Sequence, residues 1–249
     1  YKEITPKHLT IFRLTFGGLI LLIHQFITNK KNLFNIFHSK FDISRLLYFG
    51  FFGLLAMQYG YFATVNHSNA ATATILQSLA PFIIAIVMAI KYKKLPSKII
   101  TTSLALGFIG AFLLITHGNI NRLVITIPAL IFGLLAALGL VNYSLSSNQL
   151  QKNYNLILIM GWAMFIAGIT FLMISFSTLE AFNIDIISVL GIIFVVVFGT
   201  TIPFLLYLFG TKGIGAQKAS ILGLIEPVSA TFISVVFMGE SFITMDYTG

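Results

Sequence analysis

The sequence predicts an all-α polytopic membrane protein made of two inverted repeats of five helices each, with about eight membrane spans present in this chain. The first observation is composition, because 57% of the residues are hydrophobic and 9% are charged, whereas soluble domains carry roughly 25% charged residues. The second is that apolar runs recur along the whole chain, and about twenty helical residues cross a bilayer. The third is an internal repeat.

The apolar runs define eight predicted spans with short connections rich in Asn, Ser, Gly and Lys, as expected of turns between packed helices. Basic residues lie mainly in one set of loops, which holds eleven of the fifteen, against Lys2, Lys7 and Arg122 in the opposite set. Loops rich in Lys and Arg stay in the cytoplasm, so the first set is predicted to be cytoplasmic. The predicted spans cover residues 8–27, 46–65, 70–90, 99–115, 125–145, 156–176, 187–209 and 216–238.

The internal repeat appears when the chain is shifted by 146 positions, because eight of the thirty residues from 52 to 81 are then identical to their partners. The loops that follow the two copies differ in charge: residues 65–69 have none, and residues 211–218 contain Lys212 and Lys218. Equivalent loops are therefore predicted to face opposite sides of the membrane. Inverted repeats are typical of secondary transporters. The identical residues in the first copy are Phe52, Gly53, Tyr61, Ala70, Ala73, Ile75, Leu76 and Pro81.

The repeat divides the chain into residues 1–118 and residues 119–249. The first repeat is expected to lack its first helix, because the span 125–145 has no counterpart before residue 1. The second is expected to lack its last helix, because the span 99–115 has no counterpart after residue 249. Two interpretations remain open: the chain is a fragment of a ten-helix protein, or it has eight spans.

Short motifs in both copies resemble a known family. Residues 77–110, with the core Ser78-Leu79-Ala80-Pro81, resemble the junction between consecutive helices of EamA-type transporters, which belong to the drug/metabolite transporter superfamily. Residues 215–249 resemble the same junction in the second copy, and Ile4-Thr5-Pro6 followed by Arg13 is similar to the family's second helix. The resemblance implies ten helices in two inverted repeats, a central cavity, and export of amino acids or other small metabolites.

Several function classes are not supported by the sequence. The net charge of +8 comes from loop residues, and no basic face with interleaved aromatics predicts nucleic-acid binding. The chain has no cysteine, its five histidines are scattered, and it carries no enzyme, nucleotide-binding or metal-binding motif. We therefore expect no enzyme activity, no cofactor and no metal, and transport driven by a gradient of ions or of the solute itself.

Glu226 is the acidic residue that the sequence places inside a span. It lies ten residues after Ala216, or about 15 Å into the membrane at 1.5 Å per residue. An ionisable group near the bilayer centre costs about 2.5–3.5 kcal/mol and should face the bundle interior or water. Two interpretations are open: a site for a substrate ammonium or a proton, and a protonated carboxyl group that fixes packing.

Pro81 and Pro227 occupy equivalent positions and are predicted to interrupt their helices as hinges. Proline has no N–H, so the carbonyls of Gln77 and Gly223 should be free of helical hydrogen bonding. A free carbonyl at this depth must be satisfied by protein, water or ligand. We interpret the polar Gln77 on an otherwise apolar helix as a cavity residue.

Further polar residues inside the spans complete the predicted substrate-binding set. Tyr61 and Tyr207 are equivalent in the repeats and could form opposite cavity walls, although core packing or an interfacial position is an alternative for each. Arg13 is interpreted as a membrane anchor whose stem reaches the headgroups, with binding of a substrate carboxylate as the alternative. The full predicted set is Gln58, Tyr61, Gln77, Asn142, Tyr207 and Glu226.

These observations predict a secondary transporter that exports small metabolites by alternating access between the repeats. The expected partners are a small-molecule substrate, the lipid bilayer and protons as candidate coupling ions. The abundance of Lys, Ile, Asn and Phe favours an AT-rich bacterial genome and thus a multi-pass protein of a bacterial cell membrane. The alternatives are a non-transporting membrane scaffold or accessory subunit and, third, a membrane enzyme.

Overall fold

The computed structural model describes residues 4–116, 119–179 and 185–229. Within these ranges the regular secondary structure is helical, and seven helices are long and apolar enough to cross a membrane. An eighth helix begins at Ala216, and residues 230–238 of its predicted span lie outside the described ranges. The helices are α1 (Pro6–Asn29), α2 (Lys40–His67), α3 (Ala70–Tyr92), α4 (Lys98–Thr116), α5 (Ile127–Ser146), α6 (Leu156–Ser175), α7 (Ile186–Ile214) and α8 (Ala216–Gly223).

Polar side chains set the first residue of several helices by accepting hydrogen bonds from main-chain N–H groups that have no helical partner. Asn69 accepts from Thr72 at the start of α3, and Asp185 accepts from Ser188 at the start of α7, at 2.8 and 2.9 Å. Helix α2 begins at Lys40, six residues before the predicted span, because Ser39 caps it. Hydropathy alone could not detect this polar first turn.

The most extensive helix contacts in the described part of the chain are those of α1 with α6 and of α2 with α5, and both pairs run antiparallel. Small residues allow these helices to approach closely, as is usual where lipid provides no hydrophobic drive for association. A Cβ atom on Gly168 of α6 would lie 2.6 Å from the main-chain nitrogen of Thr15, and one on Gly60 of α2 would lie 2.8 Å from that of Ala136. The four helices thus form a tightly packed frame for the remaining ones.

The internal repeat is visible in the backbone as well as in the sequence. Helix α2 contains a π-helical stretch at Phe49–Leu55, and α7 contains one at Val197–Thr201. A shift of 146 positions takes residues 49–55 to 195–201, so the second stretch falls inside the first. Because π-helical turns are rare, this coincidence supports the equivalence of α2 and α7. Four spans lie between these two helices, so they cross the membrane in opposite directions.

The predicted proline hinges coincide with equivalent helix breaks. Helix α3 is interrupted at residues 78–79, before Pro81, and the helix that starts at Ala216 is interrupted at residues 224–225, before Pro227. Leu79 N donates to Leu76 O at 3.2 Å, and the equivalent Ile225 N donates to Leu222 O at 3.1 Å. The structure therefore confirms an all-helical membrane fold with paired repeats.

Candidate functional site

A cavity of about 600 Å³ lies between the two repeats, within the usual range for small-molecule sites. Most of its wall is symmetric: fourteen of the twenty lining residues form pairs related by the shift of 146 positions. These pairs are Met57 and Pro203, Gln58 and Phe204, Tyr61 and Tyr207, Thr74 and Ser220, Gln77 and Gly223, Ser78 and Leu224, and Pro81 and Pro227.

The cavity collects nearly all of the residues that the sequence singled out. The lining residues from that set are Gln58, Tyr61, Gln77, Pro81, Tyr207, Glu226 and Pro227. Asn142 lies elsewhere: it accepts a hydrogen bond from Tyr48 Oη at 2.8 Å and donates to Leu138 O at 3.1 Å. The next residue, Tyr143, lines the cavity instead, because consecutive side chains on a helix point about 100° apart.

Three tyrosines form part of the cavity wall and are held there by hydrogen bonds. Tyr61 Oη donates to Thr74 at 3.3 Å, since the Thr74 hydroxyl hydrogen is directed to Ala70 O. Tyr207 Oη donates to Ser144 at 2.9 Å, and the Tyr207 ring stacks on that of Tyr143. Both predicted tyrosines thus line the cavity, and so does Tyr143, which was not predicted from the sequence.

Gln58 carries a buried donor at the cavity wall. Its side chain is 4% exposed, and its Nε2 has no hydrogen-bond partner in the described part of the chain. An unsatisfied buried donor costs about 1–3 kcal/mol. Because Nε2 itself is buried, the Gln58 side chain would have to rotate to present this donor to a polar ligand in the cavity.

Arg13 of α1 turns into the cavity, and its interpretation as a membrane anchor is wrong. Its Nε donates to Thr200 Oγ1 at 2.5 Å and its Nη2 donates to Gly199 O at 2.6 Å. The carbonyl of Gly199 has no α-helical donor, because the residue four positions later is Pro203, which has no N–H. The guanidinium group therefore binds two acceptors inside the π-helical stretch of α7.

Glu226 also lines the cavity, immediately after the helix break at residues 224–225. Its carboxyl group is close enough to Arg13 and Tyr61 for electrostatic interaction. Among the described lining residues, Arg13 and Glu226 are those that carry charge. The cavity thus combines one positive group, one negative group, neutral polar groups and aromatic rings.

Comparison with known proteins agrees with this architecture. The model of the EamA-like transporter family matches residues 1–116 and 127–249. A relative from Salmonella typhimurium, named as the uncharacterized inner membrane transporter YicL, is 35% identical, and the match covers 100% of this chain and 82% of that protein. The uncharacterized transporter YdfC of Bacillus subtilis is 25% identical over 95% of this chain and 75% of its own length.

A solved structure, titled only as the crystal structure of a protein, has the same fold. Its TM-score is 0.81 at 16% identity, with 98% of this chain and 84% of that chain covered. The family match extends over both repeats, and the names of the relatives indicate transport. The chain is therefore a multi-pass membrane transporter that belongs to the EamA-like transporter family.

Proposed function

We propose that the protein is a secondary transporter that exports small polar metabolites, amino acids or related organic solutes, across a bacterial cell membrane. The observation that carries this proposal is the cavity of about 600 Å³ whose wall is built from equivalent residues of both repeats. Substrate sites at a repeat interface near the midplane are a recurrent property of transporters with inverted repeats.

The chemistry of the wall favours solutes that have both polar and apolar parts. Gln58 offers an unsatisfied donor, Arg13 and Glu226 offer opposite charges, and the tyrosines offer aromatic faces. A charged solute within the membrane needs partners of opposite charge or hydrogen bonds to replace its water. A solute with both a positive and a negative group would be complementary to this cavity.

Alternating access would use the equivalent helix breaks as hinges. The breaks lie at residues 78–79 and 224–225, and both line the cavity. Because Pro81 and Pro227 supply no N–H, the carbonyls of Gln77 and Gly223 lack the hydrogen bond that would stiffen a regular helix at this point. Each repeat can therefore bend next to the bound solute, which is where motion opens one side and closes the other.

The energy source would be an ion gradient or the gradient of the solute, because the sequence contains no nucleotide-binding motif. Protons are the coupling ion that the cavity suits best, with Glu226 as the carrier, since it is the acidic residue among the described lining residues. A buried carboxyl group can alternate between a proton and a cationic substrate group as access changes sides.

The proposal is tested by counterflow in proteoliposomes that contain the purified protein. Vesicles loaded with a mixture of amino acids should accumulate a labelled amino acid from outside, whereas protein-free vesicles should not. Tyr61→Phe should weaken transport by about two- to fivefold through loss of one hydrogen bond. The matched Tyr48→Phe should leave transport unchanged, because Tyr48 contacts Asn142 outside the cavity.

A different result would favour another function. If the protein showed no counterflow of amino acids, amines or organic acids but purified with a partner protein, the scaffold alternative would replace transport. Turnover of a lipid or peptide without a gradient would instead identify an enzyme.

A further inference from the structure

We propose that Arg13 is the receptor for a carboxylate group of the substrate, and that this carboxylate takes over the hydrogen bonds that hold α1 to the π-helical stretch of α7 in this structure. The inference rests on the proposed transport function and narrows its substrate class to small carboxylate-bearing solutes. It also implies that α7 is the helix whose contacts change when the substrate binds.

The first step of the argument is the kind of acceptor that Arg13 now contacts. Both of its acceptors, Thr200 Oγ1 and Gly199 O, are neutral. A carboxylate is a stronger acceptor, and its two oxygens match the planar fork of the guanidinium group. A solute carboxylate in the cavity would therefore compete well for Arg13.

The second step is that Arg13 can release its present contacts without leaving α7 disordered. Thr200 Oγ1 donates to Val195 O at 3.0 Å, and Thr201 Oγ1 donates to Val196 O at 2.8 Å. These bonds stay within α7 and do not involve Arg13. Release would thus break the Arg13 hydrogen bonds between α1 and α7, which still pack against each other at Gly17 and Thr201. The π-helical stretch would keep its own hydrogen bonds, and Gly199 O would be open to water or to the solute.

The third step is the charge of the remaining wall. Glu226 faces the same cavity and interacts electrostatically with Arg13. A solute that brings only a carboxylate would add a second negative charge beside Glu226, whereas a solute with an ammonium group as well would pair with both. Zwitterions with a carboxylate and an ammonium group therefore fit best. The Phe62 ring, whose centroid lies 5.0 Å from the guanidinium carbon of Arg13, covers one face of the guanidinium group.

The test is a thermal-shift titration of the purified protein with the standard amino acids and, in parallel, with their primary amides, which keep the ammonium group and lack the carboxylate. Ligands that bind the folded form raise its unfolding temperature by an amount that grows with the logarithm of the ratio of ligand concentration to Kd. We expect amino acids to stabilise the wild-type protein and their amides to bind at least about tenfold more weakly. Arg13→Gln should lose the preference, and Arg13→Lys should retain part of it.

The variant Thr200→Val distinguishes a role of Arg13 in substrate binding from a role in holding α1 to α7. It removes one acceptor that competes for Arg13, so the guanidinium group should be more available and amino-acid affinity should rise by about two- to fivefold. A residue that merely tied α1 to α7 would give the opposite result, because its loss would loosen the cavity and lower affinity. Circular dichroism of each variant shows whether it is folded.

The proposal is overturned by equal binding of amino acids and amides, by an unchanged preference in folded Arg13→Gln, or by lower affinity in Thr200→Val. It is also overturned if only amines or uncharged solutes bind. In that case counterflow of those solutes would leave the transport function standing, so the two failures are distinguishable.

Discussion

The two repeats make the same helix contact with different chemistry. In one contact, Arg13 of α1 binds Thr200 in the π-helical stretch of α7. The shift of 146 positions takes these residues to Ile159 of α6 and Leu54 in the π-helical stretch of α2. Both of these are fully buried in one apolar core. The same pair of positions is therefore polar in one copy of the repeat and apolar in the other.

The two repeats also differ at Pro203, which lacks a main-chain N–H. Pro203 removes the helical donor for Gly199 O, whereas the equivalent residue on α2 is Met57, which has an N–H. Glu226 likewise corresponds to Ala80, which is fully buried. The charged groups of the cavity are thus departures from the symmetry of the repeat, as expected if they serve binding more than stability.

The largest expected effect comes from introducing an arginine at Ile159, the position in the other repeat that is equivalent to Arg13. Ile159→Arg would bury an unpaired guanidinium group in the apolar core, and we expect the free energy of unfolding to fall by about 4 kcal/mol or more. Ile159→Val should cost only about 1 kcal/mol. Thermal unfolding in detergent measures both. A stable Ile159→Arg protein would show that this contact is less tightly packed than its burial indicates.

Replacing the polar contact between α1 and α7 by the apolar residues of the other repeat should preserve the fold and strongly reduce transport. The triple variant Arg13→Ile, Thr200→Leu, Pro203→Met copies the apolar contact, and its unfolding free energy should stay within about 2 kcal/mol of wild type, since apolar replacement of buried polar pairs is often neutral. Transport should fall about 100-fold, because a charge-assisted contact is lost. Counterflow by the folded triple variant at the wild-type rate would refute the comparison.

A smaller effect is expected when Glu226, which has no acidic counterpart in the other repeat, is replaced. Glu226→Ala introduces the residue of the other repeat, and we expect uptake to continue at a reduced rate but to lose its response to an imposed pH gradient. The wild type and Gln217→Ala, a change on the same helix outside the described cavity wall, should respond alike. An unchanged response in Glu226→Ala would exclude it as the proton carrier.

The smallest expected effect concerns the first turns of α2 and α7, which are equivalent in the repeats. Ser39 caps α2 with a neutral hydroxyl group, and Asp185 caps α7 with a carboxylate. The hydrogen bond from Ser188 holds the pKa of Asp185 below its ordinary value. The cap therefore stabilises α7 above the ordinary carboxyl pKa and is lost as the pH falls through the lowered one.

Hydrogen exchange at the first turn of each helix, corrected for intrinsic rates, measures this difference. Protection at residues 186–189 should fall at acidic pH in the wild type and should lose this pH dependence in Asp185→Ser. Residues 40–43 serve as the comparison in Asp42→Asn, which removes the carboxyl group from the first turn of α2. Equal pH dependence of residues 186–189 in the wild type and in Asp185→Ser would show that the Asp185 carboxylate does not control the start of α7.

Most of the fold could be predicted because hydropathy and the internal repeat depend on local sequence. Tyr61 and Tyr207 could be predicted as cavity residues because they are equivalent in the repeat. Gln58 could be predicted because a polar amide inside a membrane span requires a polar partner. Asn142 was predicted to bind substrate, but α5 is apolar on most sides, so its sequence does not reveal which residue faces inward.

Arg13 was misread for a different reason. Its depth from the end of α1 is compatible with an outward path to the headgroups, and only the distant Pro203 provides the carbonyl that draws it inward. The sequence does contain a signal, because a proline inside a span frees a carbonyl four residues earlier. Which side chain will satisfy that carbonyl depends on contacts between helices that are far apart in sequence.

The paired helix breaks have a consequence for how such a pocket could arise. Each repeat supplies half of the wall, so a single repeat could enclose the pocket only by associating with an upside-down copy of itself, and every ionisable group would then occur twice. Fusion of the two copies in one polypeptide allows each half to mutate independently. One cation and one anion can then face a shared solute without a duplicate of either, and their charges balance within the described cavity wall.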